Sequence, residues 1–100
     1  MVSSSVRSAQ LRRLMSQGVV MLPGAFNALS ARMIEREGFG AMYVSGAVLA
    51  NSIGGVPDIG LMTLTESRDH IAHIANATSI PIVADADTGY GGPENAARTV

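Results

Sequence analysis

The stretch "SIPIVADADTGYGG", residues 79–92, decides the fold. An apolar run, Ile80 to Ala84, hands two carboxylates at alternate positions, Asp85 and Asp87, to a turn built on Gly89, Gly91 and Gly92. A run this short, bounded by such a turn, predicts a strand, "IPIVADAD" over 80–87. Gly92-Pro93-Glu94 then opens a helix, with proline in the first turn and an acid near the positive end of the dipole. Working back, Thr63-Leu64-Thr65-Glu66 fits a capping box that opens a helix through about Ala77. "AMYVSG", 41–46, is a second β-rich run, and Asn27 caps a helix, "ALSARMIERE", that stops at Gly38. "VVML", 19–22, predicts a strand before Pro23-Gly24, and Leu11, Leu14 and Met15 give a leading helix over about 8–17, closed by Gly18.

Alternating strands and helices predict an α/β fold with a parallel sheet and helical crossovers. Three strands are visible. A complete (β/α)8 TIM barrel takes about 250 residues, so these 100 residues supply its first three or so βα units. Residues 1–18 read as a leading helix and 19–100 as the first units of one barrel domain. "PENAARTV" runs to Val100 with no Gly, Asn or Pro after Asn95 to stop the last helix, so the chain reads as the N-terminal portion of a longer enzyme.

Composition excludes several functions. The net charge is −1 and aromatic residues make up 4% of the chain, so no basic stripe or stacking platform serves nucleic acid. No apolar run approaches the roughly 20 residues of a membrane span, which predicts a soluble, cytoplasmic protein. The Ser- and Arg-containing start, "MVSSSVRSAQLRRLM", has the composition of a transit peptide, but its helical spacing favours an ordinary leading helix. Asn76-Ala77-Thr78 matches a glycosylation sequon by chance. With no Cys and no Lys, there is no thiol nucleophile, thiolate metal site or Schiff base. Carboxylates, hydroxyls, His, Arg, backbone groups or a metal must carry the chemistry.

On a strand, Asp85 and Asp87 face one side at the carboxyl end, where parallel α/β folds place their sites. Two close carboxylates repel and lose hydration, so one takes a proton or a cation sits between them. Hard oxygen donors without Cys or clustered His select Mg²⁺, with Mn²⁺ as the second candidate, over zinc. The competing reading has both Asp side chains capping the Gly89–Gly92 turn and the next helix; the pattern leaves the two open. Asp58, in "GGVPDIG", lies in a loop over 47–62 too long for an ordinary βα turn. That loop opens on the same face, although an isolated Pro-Asp is ordinarily a turn. Ser45 and Gly46 end the second strand there, where a hydroxyl and backbone N–H groups suit a substrate carboxylate, or simply a strand-to-loop turn. His70 and His73 flank the apolar side of their helix and read as surface or boundary residues. "GYGG" lacks the spacing of a phosphate-binding loop.

Taken together, "LPGAFNALSARMIEREGFGAMYVSGAVLANSIGGVPDIGLMTLTE" and "IPIVADADTGYGG" resemble the isocitrate lyase and phosphoenolpyruvate mutase superfamily. The resemblance covers about residues 10–100. It lies in an ordered set: Pro-Gly-Ala-x-Asn-Ala, Tyr-x-Ser-Gly, Pro-Asp-x-Gly and Asp-x-Asp-x-Gly-x-Gly. It implies a (β/α)8 barrel with Mg²⁺ at its carboxyl-terminal mouth, making or breaking C–C or P–C bonds beside an α-oxo or α-hydroxy acid. The nearest branch cleaves 2-methylisocitrate, a tricarboxylate, to pyruvate and succinate in propionate catabolism. By motif, Asp85 and Asp87 resemble the Mg²⁺ carboxylates, with Asp58 acting through water. Tyr43, Ser45, Gly46 and Ala47, with Asp85, resemble the substrate cradle, Tyr43 and Asp58 also standing beside the chemistry. Many members carry a second Gly where this chain has Ala47. The general acid of such lyases resembles a Cys on a gating loop absent from these residues, and similar enzymes are homotetramers.

Phosphonopyruvate- or oxaloacetate-processing enzymes and isocitrate lyase share these first strands and remain open within the family. A D-x-D after an apolar strand also resembles haloacid dehalogenase-type phosphohydrolases, but that motif wants Thr two residues beyond the second Asp, and here Thr88 follows at once. A non-enzymatic assembly module is the third reading. The 100 residues alone are expected to show no lyase turnover.

Overall fold

The computed structural model describes residues 2–100. Its elements are α1 (Ser4–Ser16), α2 (Ala28–Arg36), β1 (Met42–Val44), α3 (Gly46–Leu49) running into a π-helical turn (Ala50–Gly54), α4 (Leu64–Ala77), β2 (Ile82–Ala84) and α5 (Pro93–Thr99). The helices follow the expected order, the strands are shorter than the expected 41–46 and 80–87, and the expected loop over 47–62 begins with helical turns. β1 and β2 pair in parallel, Met42 opposite Ile82, Tyr43 opposite Val83 and Val44 opposite Ala84. A parallel bridge between Gly24 and Tyr43 brings a third segment to the other edge of β1. Such pairing requires crossovers, supplied by α2 and α4. The result is a parallel α/β layer.

The expected strand at 19–22 does not form; contact with β1 is made at 23–25 instead. Tyr43 donates its N–H to the Pro23 carbonyl and accepts from the Ala25 N–H. The next rung towards 19–22 would pair Pro23 with Ala41, and proline has no N–H to give. Val19 and Met21 are left exposed.

Caps explain where the helices start. The Asn27 side chain accepts from the Ser30 N–H at 2.8 Å, and the Ser30 hydroxyl accepts from the Asn27 N–H at 3.1 Å, a reciprocal pair that satisfies two otherwise orphaned donors. Thr63 accepts from the Glu66 N–H at 3.2 Å. Pro93 stands in the first turn of α5.

Met42, Val44, Ile74, Ile80, Leu49, Ala25 and Ala31 form the core, with Ile34, Ile71 and Ile82 packed on it. The residues of β1 that alternate with Tyr43 thus bury against α2 and α4, contributing about 1.5–3 kcal/mol each for the larger side chains. Tyr43 faces the other way.

The leading helix starts earlier than its apolar spacing predicts, at Ser4, because Ser3 caps it. It carries a buried arginine. Arg7 donates from Nη2 to the carbonyls of Ala75 (2.7 Å) and Thr78 (2.6 Å) and from Nη1 to that of Ile80 (3.2 Å). Those carbonyls lie at the end of α4 and its exit towards β2, where a cation complements the helix dipole. From the other side the Glu35 carboxylate accepts from the N–H and hydroxyl of Ser79. Two side chains therefore fix the chain just before the strand that carries the acids.

Candidate functional site

The strand register sets the site. Tyr43 lies opposite Val83, so one alternation further Ser45 comes level with Asp85, on the face turned away from Met42 and Val44. The ladder runs to this point, the Asp85 N–H donating to the Val44 carbonyl at 2.9 Å. Both oxygens of Asp85 are engaged: Oδ2 accepts from the Gly46 N–H at 3.2 Å and Oδ1 from the Asp87 N–H at 2.9 Å. The second is the local turn that aspartate forms with the backbone two residues on. Asp85 thus closes a turn at Asp87, not the expected one at Gly89–Gly92, and reaches across the sheet besides. Neither acid caps α5, whose preceding Gly92 offers no side chain.

Asp87 and Tyr90 are the two non-glycine residues at positive φ among the described ones, at 47° and 63°. Aspartate tolerates that region better than most residues; tyrosine does not, at a cost of about 1–2 kcal/mol. Strain of this kind persists where the surroundings over-determine it. The strand ends at Ala84, so Asp87 does not follow Asp85 by strand alternation as expected: it lies in the turn, and the turn brings the two carboxylates together beside Gly46. A Cβ there would lie 2.8 Å from Asp85 Oδ2 and 3.1 Å from Asp87 Oδ1.

Loss of hydration holds the Asp87 carboxyl above its usual 3.8, and the charges of Asp85 and then Asp58 push the same way. The Asp58 charge therefore reaches Asp87. It shares with Asp87, Thr88, Tyr90 and Met62 the wall of an open cavity of about 630 Å³. The long loop that brings Asp58 there contains α3 and the π-helical turn, a distortion frequent at functional sites. Gly54 lets it close, since a Cβ there would meet Met62 Sδ at 2.9 Å. Thr88, Tyr90 and Met62 were not expected as site residues; the unusual loop length was the available signal for Met62, and the glycine-rich turn after the acids for Thr88 and Tyr90.

The other expected site residues lie nearby in differing roles. Tyr43 is half-buried on the open sheet face. Ser45 Oγ accepts from the Val48 N–H at 3.4 Å, which leaves its proton free to donate outwards. Gly46 and Ala47 form the first turn of α3, but the Gly46 N–H is already given to Asp85. His70 Nε2 contacts the Phe26 carbonyl at 2.8 Å, and His73 is exposed.

No group of three or more His, Cys, Asp or Glu is placed to hold a metal ion among the described residues. Two carboxylates converging beside a glycine backbone do fit Mg²⁺, which is held by one or two carboxylates and keeps several waters.

Residues 11–100 match the family described as phosphoenolpyruvate phosphomutase. Among curated relatives, a probable 2-methylisocitrate lyase 2 of Corynebacterium glutamicum is 48% identical over 94 residues, 94% of this chain and 30% of that protein. A crystal structure of oxaloacetate acetylhydrolase superposes with a TM-score of 0.85 at 38% identity, covering 93% of this chain and 34% of that one. A phosphonopyruvate hydrolase solved with oxalate and Mg²⁺ gives 0.80 at 32% identity, over 95% and 32%. The chain spans about a third of the length of the relatives it matches.

Proposed function

Because the chain belongs to the phosphoenolpyruvate phosphomutase family, we propose that the whole protein is a Mg²⁺-dependent carbon–carbon lyase cleaving 2-methylisocitrate to pyruvate and succinate. The observation that carries the reading is the convergence of Asp85 and Asp87 on Gly46 at the strand ends, in a chain 48% identical to a protein named for that reaction. Bound there, the metal would supply positive charge to an α-hydroxy carboxylate and lower the pKa of the hydroxyl that becomes pyruvate's carbonyl.

This chain's own residues do the rest of the positioning. Asp85, fixed by two N–H groups, and Asp87 would hold the cation, with Asp58 acting through water. Ser45 Oγ donates its free proton to a substrate carboxylate, with Tyr43 and Ala47 shaping the floor. With no Cys in these residues, the proton for the succinate carbanion comes from another part of the protein. The whole is proposed to be a (β/α)8 barrel, homotetrameric and cytoplasmic.

A second reading has a specific support: the fold neighbour oxaloacetate acetylhydrolase, at a TM-score of 0.85. The test is therefore a competition. Protein of natural length is incubated with 2-methylisocitrate or oxaloacetate, with Mg²⁺ or with EDTA. Mg²⁺-dependent pyruvate release from the first supports the lyase. Oxalate and acetate from the second, without pyruvate from the first, would replace it with the hydrolase.

A further inference from the structure

We infer that Gly46 is the positioning residue of the carboxylate pair: its missing side chain leaves the space in which Asp85 and Asp87 meet, and its N–H sets the direction of Asp85. The inference rests on the cation-holding role proposed above for the pair. A Cβ at 46 would stand 2.8 Å from Asp85 Oδ2, 3.2 Å from Asp85 Cγ and 3.1 Å from Asp87 Oδ1. The first separation is closer than Cβ atoms approach other atoms, so a carboxylate must move.

It is not free to do so. Asp85 is held through Oδ2 by the Gly46 N–H at 3.2 Å and through Oδ1 by the Asp87 N–H at 2.9 Å, so displacing it breaks one contact or strains the turn that carries Asp87. The backbone itself makes no demand for glycine here. Gly46 is absent from the positive-φ glycines and opens α3, where alanine is intrinsically the better residue. The need for glycine thus comes from the two acids. Gly46 would not touch the reacting atoms; it acts through Asp85.

A double-mutant cycle separates this role from a plain packing defect. In protein of natural length, Gly46→Ala is made in the unaltered chain and in Asp85→Ala. Urea midpoints are measured, with Mn²⁺ affinity read from the electron paramagnetic resonance signal of the free ion. Gly46→Ala is expected to lower the midpoint in the unaltered chain and to leave it unchanged or raise it once the Asp85 carboxylate is gone. It is expected to weaken Mn²⁺ binding by about tenfold or more, the usual effect of losing a residue that orients a ligand. Should Gly46→Ala fail to fold, recovery of folding in the double variant supports the inference, and its failure to recover overturns it. Equal midpoint losses in both backgrounds, or Mn²⁺ affinity unchanged by Gly46→Ala, overturn it as well. An unaltered chain that binds no Mn²⁺, yet shows the stability coupling, overturns the proposed metal role and leaves the Gly46–Asp85 contact standing.

Discussion

Removing Arg7 should test whether the leading helix is bolted to the layer that carries the site. The guanidinium makes three hydrogen bonds, to the carbonyls of Ala75, Thr78 and Ile80, and the residue is 9% exposed. A hydrogen bond involving a charged group contributes about 1.5–3 kcal/mol, but the contributions of one side chain do not add fully. Arg7→Ala also strands carbonyls at the end of α4, each costing about 1–3 kcal/mol where water cannot reach. A loss of about 3–5 kcal/mol follows, a large part of the 5–15 kcal/mol that holds a domain together. Arg7→Lys keeps the charge without the planar fork and should lose about half as much. The assay is urea unfolding followed by circular dichroism. In the protein of natural length, with a slope of about 3 kcal/mol per molar urea, the alanine variant should shift the midpoint by about 1 M or more, or unfold outright. A shift equivalent to under about 0.5 kcal/mol, the size of an ordinary surface change, would refute the account of α1 as an anchored element.

Other outcomes follow from single groups. The Ser79 hydroxyl, helped by the Ser79 N–H, holds the Glu35 carboxyl below its usual 4.5. A depressed carboxylate contributes stability above its unfolded pKa and loses it as pH falls through the folded one. Glu35→Gln should therefore flatten the loss of stability below about pH 4.5 in a pH series of urea midpoints; an unchanged acid limb would count against the contact. Asp87 behaves oppositely: its raised pKa means the folded state resists the charged form, so stability falls as pH rises through the carboxylate range. Asp87→Asn should raise the neutral-pH midpoint while abolishing Mn²⁺ binding, and a lowered midpoint would contradict the crowding described around Gly46. Asn27→Ala removes half of a reciprocal cap and should cost about 1 kcal/mol by the same unfolding assay, against nothing if α2 is held by packing alone.

The elements with local causes were legible in the sequence. Asn27, Thr63 and Pro93 start helices because their side chains or ring act within three or four residues, and the apolar runs at 41–44 and 80–84 are strands because both are short and bounded by turns. What escaped depends on partners far along the chain. "VVML" has strand composition, but the absent N–H of Pro23 stops the ladder only once Ala41 is opposite. Arg7 looks like one more arginine of a polar helix until the carbonyls of 75–80 are brought to it. Gly46 reads as half of a Ser-Gly turn, and its steric role exists only in the register that sets it beside Asp85.

For Asp85 the sequence posed a choice, turn cap or cation holder, and the geometry shows why the choice is not exclusive. An ionised carboxylate offers about four lone-pair positions, and the N–H groups of Gly46 and Asp87 occupy one on each oxygen. The remaining positions are available to a cation. Capping fixes both rotatable bonds of the side chain, so the entropy of ordering a charged ligand is met in folding and not again on binding. Asp87 has the opposite character, being exposed and held by a strained backbone rather than by hydrogen bonds. One fixed and one adjustable carboxylate are what would hold the proposed Mg²⁺. The local turn is therefore part of how Asp85 would serve a metal, and Asp85→Asn, which keeps the shape but only one of the two acceptor oxygens, should retain the fold at a cost of about 1–3 kcal/mol and weaken Mn²⁺ binding. A variant that unfolds instead would show that the charge at 85 is needed for the turn itself.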